Sequence, residues 1–301
     1  MRRDAAQVTG TLAISAIAVL AGSCVVSVDA GRYVSREERR FEVTGTPDIS
    51  LTTFDGSVQV RSWDRAEILV EVEKRAGDRA QAEAIEVKAD QAGSTVRVEV
   101  RQPTGSQRVI GIGTSPSARV VASVPRRCNI TVHSGDGALA IERVDGTIDL
   151  DTGDGTVKGL DLSGSLHART GDGSLRFENV AGNVDLESSD GGARLSGALH
   201  VVRLRTGDGA VEVQAEAGSS MAADWDIRTG DGGLRLELPA DFNANLDAST
   251  HDGAVRVRGF GEPASGGRDD DAGRELTRVL GSGGKSLRLR CSSGTILVSR
   301  R

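Results

Sequence analysis

The chain has 301 residues, of which 38% are hydrophobic, only 3% are aromatic and 39 are glycine. This composition excludes a core built mainly from bulky aromatic side chains and favours an extended β protein with frequent turns. Charged residues make up 27% of the chain, with both signs interspersed and a net charge of −6, which gives no electrostatic reason to expect a nucleic-acid partner.

The N-terminus has the pattern of an export signal. Arg2 and Arg3 precede an apolar run whose core, residues 12–21, is too short to span a bilayer but suits the apolar region of a signal peptide. Small residues then lead into Cys24, which resembles a bacterial lipobox with Ala21 in place of the usual Leu. An ordinary cleaved signal or an uncleaved anchor are the alternatives.

We therefore expect residues 1–23 to be a lipoprotein-type signal peptide and Cys24 to carry the lipid. A membrane-anchored protein of the bacterial envelope follows from this, on its periplasmic or surface face, with two or more acyl chains giving a stable anchor. Residues 24–40 are predicted to be a linker.

Internal repeats dominate the rest of the chain. Short Asp-Gly turns, most of them Gly-Asp-Gly, recur at a spacing of 18 residues in the middle of the chain, followed by two copies at longer spacings. Their aspartates, which we call the aspartate column, are Asp136, Asp154, Asp172, Asp190, Asp208, Asp231 and Asp252.

Apolar residues keep a fixed phase around each of these aspartates. They stand six and four residues before it, as in Ile148 and Leu150, and three and five after it, as in Leu175 and Phe177. Alternation with period two on both sides of a turn predicts two short strands, each with one face inward. A second glycine turn about ten residues after the Asp completes a unit that is too small to fold alone, so the units must stack.

The resulting prediction is an all-β, single-domain β-solenoid over residues 41–301, with about 18 residues per rung and parallel β-helix-like winding. Right-handed winding is expected from the general crossover preference. We predict irregular rungs at 41–127, where strands and a short helix at 79–85 interrupt the period, and regular rungs at 128–258. A loop insertion at 259–284 and a last rung at 285–301 complete the prediction.

The phased turns, the export signal and the final segment "GSGGKSLRLRCSSGTILV" together resemble the bacterial putative-adhesin family of β-strand-repeat domains of unknown function. The resemblance covers most of the chain that follows the signal. It implies a β-helix-like fold at the cell envelope and supplies no catalytic residues.

Stacking would bring the carboxylates of the aspartate column to about 5 Å from one another, where like charges repel and a bridging cation such as calcium would relieve the repulsion. Calcium, however, prefers six to eight oxygen ligands, and the nonapeptide of calcium-binding β-rolls is absent from the sequence. The competing hypothesis is that Asp and Gly only form the turn, with the carboxylate accepting bonds from nearby backbone N–H groups. Phosphate binding is disfavoured because the turns lead into strands and carry Asp.

Catalysis has little support in the sequence. The four histidines, His133, His167, His200 and His251, stand at four different phases and cannot form one column. Trp225 and Phe177 fall on inward positions and are predicted to be core, whereas the sequence leaves Phe54 and Trp63 undetermined.

The cysteines Cys128 and Cys291 lie at least seven rungs apart in a sequential stack, so we predict two free thiols.

The function expected from the sequence is a non-enzymatic exported envelope protein, an adhesin or a structural module with a surface protein or polysaccharide as its partner. No catalytic residue and no cofactor are assigned. A polysaccharide-acting enzyme of β-helix type is the alternative from another class, and a sensor of envelope stress is a further one.

Overall fold

A computed structural model describes residues 25–29, 32–102, 115–260 and 274–301. The predicted signal peptide, Cys24 and the acidic run Asp269 to Asp271 lie outside the described residues. Within them the fold has one short helix, α1 (Arg79–Ala84), and otherwise β-strands joined by turns.

The strands, in chain order, are β1 (Val25–Asp29), β2 (Arg32–Glu42), β3 (Asp48–Thr53), β4 (Val58–Trp63), β5 (Glu67–Ala76), β6 (Glu86–Ala92), β7 (Thr95–Arg101), β8 (Ser117–Pro125), β9 (Asn129–Ser134), β10 (Leu139–Glu142), β11 (Asp145–Thr152), β12 (Val157–Thr170), β13 (Leu175–Ser188), β14 (Ala193–Thr206), β15 (Val211–Ala215), β16 (Trp225–Asp231), β17 (Leu234–Leu238), β18 (Ala244–Asp252), β19 (Val255–Arg258), β20 (Glu275–Leu280), β21 (Ser286–Ser293) and β22 (Ile296–Arg300).

The central strands confirm the solenoid and its period of 18. Val157 pairs in parallel with Leu139 on one side and Leu175 on the other, and Leu166 pairs with Ile148 and Val184. Each rung therefore contributes one strand that leads into the Gly-Asp-Gly turn and one that trails it. We call the two resulting stacks the leading column and the trailing column.

Inward residues of both columns form one continuous hydrophobic core. Phe177 and Trp225, which the sequence predicts to be core, are both fully buried, and the Trp225 ring lies 5.1 Å from that of Phe242 between centroids. The alternation of buried and exposed residues persists through the long strands, as the pattern of β13 shows. Burial of this kind contributes about 1.5–3 kcal/mol for each large aliphatic side chain, which is why only the stacked array is stable.

The order of rungs in space differs from their order in the chain. In the leading column β21 lies between β16 and β18, and in the trailing column β22 lies between β17 and β19. The segment 285–301, predicted to be the last rung, is therefore inserted one rung before the end. At the other end β3 and β4 are inserted in the same way, between the rung of β7 and β8 and that of β9 and β10.

Both ends of the solenoid are closed by antiparallel pairs, which the sequence prediction missed. Strand β6 pairs antiparallel with β7, β5 pairs antiparallel with both β2 and β8, and β20 pairs antiparallel with β18. The predicted irregular rungs at 41–127 are thus partly hairpins. Two further predictions are wrong because the segments form strands of these antiparallel pairs. Strands β1 and β2 occupy most of the predicted linker at 24–40, and β20 lies within the predicted loop at 259–284.

The two cysteines of the described chain are free, as predicted, and both are buried. Their separation was overestimated, because the insertion of β21 places Cys291 six rung steps from the start of β9, where Cys128 lies. Six steps still amount to roughly 29 Å at the usual strand spacing, far beyond disulfide reach. Burial raises the pKa of the Cys128 thiol to about 12, so it stays protonated at neutral pH.

Engineered disulfides test the inserted order of rungs. Asp226 lies opposite Arg288, and Arg288 lies opposite Asp247 on its other side, so a Cys pair at 226 and 288 should oxidise completely. A pair at 226 and 247 is two steps apart, roughly 9.6 Å, and should stay reduced.

Thiol counting by mass spectrometry, in a chain with Cys128→Ala and Cys291→Thr, distinguishes the two pairs. A sequential stack, with β18 directly against β16, would give the opposite result.

Candidate functional site

The turn between the columns is the feature that the sequence singles out, and its glycines are required by rung stacking. A Cβ added at Gly155 would lie 2.0 Å from the backbone oxygen of Gly137 in the adjacent rung, and one added at Gly173 would lie 2.0 Å from that of Gly155. Neither position has an unusual φ. The constraint is therefore contact between stacked backbones, and only glycine fits.

A column of buried hydroxyls, two residues before Asp55 and before each member of the aspartate column, holds the turns together. These side chains are at most 7% exposed, and we call them the hydroxyl column: Thr53, Ser134, Thr152, Thr170, Ser188, Thr206, Thr229 and Thr250.

Most of these hydroxyls donate to a glycine carbonyl in the preceding rung. Thr152 Oγ1 lies 2.8 Å from the Gly137 oxygen, Thr170 Oγ1 lies 2.8 Å from that of Gly155, and Ser188 Oγ lies 3.0 Å from that of Gly173. The Cys291 thiol takes the equivalent place in the inserted rung, 3.0 Å from the Gly232 oxygen. Thr53, at the start of the column, is the one buried side-chain donor of the described chain without a partner.

The aspartate column behaves differently from the hydroxyls. Its seven members are exposed, and within the described ranges none of their carboxylates makes a hydrogen bond or an ion pair. The expectation that these carboxylates accept bonds from turn N–H groups is wrong, because the hydroxyl column takes that role: Gly137 N donates to Ser134 Oγ and Gly191 N donates to Ser188 Oγ.

No group of three or more potential metal ligands converges anywhere in the part of the chain that the structure describes. The aspartates still face the same edge, interrupted by Ser293 between Asp231 and Asp252, so cation binding along the column stays a prediction.

The histidines occupy separate positions, as predicted. His133 Nδ1 lies 3.8 Å from an Asp151 oxygen, and His167 Nδ1 lies 4.0 Å from one of Asp185, each across one rung on the outer face of the leading column. Both pairs are isolated and solvent-accessible, and neither faces a nucleophile. They are surface contacts between rungs.

The two aromatic residues that the sequence left undetermined are partly buried. Phe54 packs against the core, while the Trp63 indole donates to the Glu67 carbonyl at 2.8 Å and carries the Arg65 guanidinium 4.9 Å above its ring. The exposed faces of the described chain therefore offer no aromatic platform of the kind that often stacks against sugars or bases.

The outer face of the leading column has charges that compensate one another. Arg169 bonds Glu187 at 3.0 Å in the next rung, and Arg290 bonds Asp247 at 2.6 Å. The bond to Arg290 is the main cause that lowers the pKa of the Asp247 carboxyl. Each exposed pair of this kind contributes only about a few tenths of a kcal/mol to the free energy of unfolding, but the pairs remove repulsion between stacked rungs.

The outer face of the trailing column has an uncompensated row of cations. The residues four positions after each aspartate align in register from rung to rung as Ala140, Lys158, Arg176, Arg194, Glu212, Arg235, Leu297 and Arg256. We call its five cations the basic row: Lys158, Arg176, Arg194, Arg235 and Arg256.

Only Arg194 of the basic row has a partner in the described chain, Glu212 at 2.6 Å. The sequence contains this signal, because the same phase that identifies the core also places the cations of the row at one outward position, four residues after the aspartates.

Comparison with known proteins identifies the fold family. The family model described as "Toastrack DUF4097" matches residues 46–299. No curated protein matches the chain. The helix of the described part has neither the length nor the hydropathy of a membrane-spanning segment.

Several solved structures are similar to the chain. A protein described as "putative cell adhesion protein" from Clostridium sporogenes shares 12% identity over 88% of this chain and 99% of its own, with a TM-score of 0.31. A "putative adhesin" from Bacteroides fragilis shares 10% identity over 88% and 97%, with a TM-score of 0.41. A "Putative lipid binding protein" from Parabacteroides distasonis shares 11% identity over 88% and 96%, with a TM-score of 0.35.

Removing one hydroxyl from the column should destabilise the whole solenoid. Thr170→Val keeps the shape of the side chain but leaves the buried Gly155 carbonyl without its donor, which we expect to cost about 1–3 kcal/mol in the free energy of unfolding. Thr170→Ser retains the donor and should cost less.

The matched control is Asp172→Asn, two residues further on in the same turn, which should change stability by less than about 0.5 kcal/mol. Urea denaturation followed by circular dichroism measures all three variants. A larger loss for Asp172→Asn than for Thr170→Val would contradict the assignment of roles in the turn.

Proposed function

The chain belongs to the Toastrack DUF4097 family, and from this premise we propose that it is a non-enzymatic, exported envelope protein that binds a partner through the outer faces of its solenoid. In this role it is an adhesin or a structural module. The export signal and Cys24 would place it on a membrane as a lipoprotein.

The observation that carries this proposal is the division of the molecule into a filled interior and rigid outer faces. The inward positions of the regular rungs are occupied by core side chains and by the hydroxyl column, and the Phe177 ring fills the space beside the inward Gly159, so the interior has no room for a substrate. The outer faces are ladders of side chains held at one rung spacing by parallel strands, a geometry suited to an elongated partner.

The carboxylates and histidines of the described chain also argue for binding over catalysis. A glycoside-cleaving site needs two carboxylates at a defined separation in a cleft, with one of them in a distinct environment. The aspartate column offers equivalent, exposed groups instead, and His133 and His167 lie apart from it on the leading face.

Incubation of the full chain with a panel of polysaccharides separates this proposal from the enzymatic alternative. We expect no new reducing ends and no unsaturated products. We also expect the folded chain to be retained on isolated envelope material and heat-unfolded protein not to be retained. A polysaccharide lyase included in parallel verifies that products are detectable.

Release of products would contradict the proposal, above all if Asp→Asn at one rung alone abolished it, because a structural column should respond similarly at every rung. Failure to be retained on any envelope material would also count against it.

A further inference from the structure

The basic row places like charges side by side in successive rungs. Lys158, Arg176 and Arg194 lie directly opposite one another in three successive rungs, about 4.8 Å apart in the strand-pairing direction. Like charges at such positions destabilise a sheet. On the leading face Arg169, Arg228 and Arg290 each pair with a carboxylate, whereas four of the five cations of the basic row have no such partner in the described chain.

The cations of the row are available to a ligand. Lys158, Arg176, Arg235 and Arg256 are exposed and, within the residues that the structure describes, have no hydrogen-bond or ion-pair partner. Two residues interrupt the row: Glu212, which pairs with Arg194, and Leu297, which lies between Arg235 and Arg256. Their guanidinium and ammonium groups therefore remain free to bind anions.

A trough runs beside the basic row. The positions two residues after each aspartate carry small side chains, including Ser174, Gly192, Ala210 and Gly233. Two open cavities lie along this floor, one of about 270 Å³ beside Arg176 and one of about 490 Å³ beside Arg235. The floor follows the solenoid axis from rung to rung, as the row does.

The neighbouring charges restrict the shape of an anionic partner. On one side of the row stands the aspartate column, and on the other, two residues further along β10, β13 and β17, stand Glu142, Glu178 and Glu237. A planar anionic surface such as a membrane would meet these carboxylates together with the cations and be repelled by them. A narrow, linear polyanion that lies along the row would contact the cations alone.

The row also lacks what single-stranded nucleic acid requires. Binding of that kind combines a basic groove with exposed aromatic side chains that stack on the bases. No exposed aromatic residue accompanies the row in the described chain. Its polar, small-residue floor suits a partner without large flat apolar groups.

From these features we propose that the basic row and its trough bind a linear acidic polysaccharide, laid along the solenoid axis with its carboxylate or sulfate groups paired to successive cations. This proposal rests on the proposed function, since it names the partner of a binding module. Each cation then neutralises one acidic sugar, and the bound chain relieves the repulsion that the free protein retains.

Isothermal titration of the full chain with oligogalacturonates of increasing length tests the proposal. We expect affinity to rise with length up to that of the row and to fall with added salt, because the contacts are exposed ion pairs. Heparin fragments report whether sulfate replaces carboxylate, and neutral dextran should not bind. Single-stranded DNA and phosphatidylserine vesicles cover the two other classes of polyanion.

Two double variants of equal charge locate the site. Lys158→Gln with Arg176→Gln should weaken oligogalacturonate binding about 25-fold, from about fivefold for each exposed cation, while leaving the melting temperature unchanged or raised. The control, Arg169→Gln with Arg205→Gln on the leading face, should retain binding although it removes the Arg169 ion pair.

Equal loss of binding in both double variants would overturn the proposal, as would binding to DNA or vesicles without binding to acidic oligosaccharides. Retention of the chain on envelope material with no affinity for acidic oligosaccharides would overturn this inference and leave the proposed function standing.

Discussion

The stacking of backbones at a tight turn is the constraint on which the rest of this structure depends. Parallel rungs lie about 4.8 Å apart, and at the turn that distance leaves no space for a Cβ between one glycine and the carbonyl of the next. The same close approach leaves carbonyl groups that strand pairing does not satisfy. The hydroxyl column supplies their donors from inside the core, so that glycine occurs together with a buried donor, which is Ser or Thr in most rungs and Cys291 in the inserted one.

This constraint separates structural from functional positions. The inward residues, the glycines and the hydroxyls are dictated by the stack, whereas the outward residues are held in straight rows and are free to vary. On the leading face those rows carry cations beside carboxylates, and the pairs stabilise neighbouring rungs weakly. On the trailing face the basic row keeps like charges in register, which stability alone does not explain.

Much of the fold could be predicted from the sequence because period and phase are local signals. The spacing of the aspartates predicted 18 residues per rung, and the positions of Phe177 and Trp225 in that phase predicted their burial. The inserted rungs could not be predicted, because β21 and β18 carry nearly the same pattern and either would pair with β16. The antiparallel ends escaped notice since an alternating strand looks the same in either orientation.

The turn illustrates how an equally visible signal can be assigned to the wrong residue. Asp154 and its equivalents have the carboxylates expected of ligands, but the structure places them in solvent. Thr152, two residues earlier, occurs with the same regularity and is buried against the glycine carbonyls. A polar residue at an inward position of an alternating strand is the signal that identifies it, because burial of a hydroxyl requires a partner.

Two adjacent glycines of one turn allow the most direct test that rung stacking dictates the turn sequence. A Cβ at Gly232 would lie 2.4 Å from the Gly209 oxygen, whereas one at Gly233 would meet only the Thr295 oxygen at 3.7 Å. Urea denaturation should show a loss of about 1–3 kcal/mol or more for Gly232→Ala, because the adjacent backbone must move. For Gly233→Ala we predict a change within about 0.5 kcal/mol. Equal stability of the two variants would contradict the account.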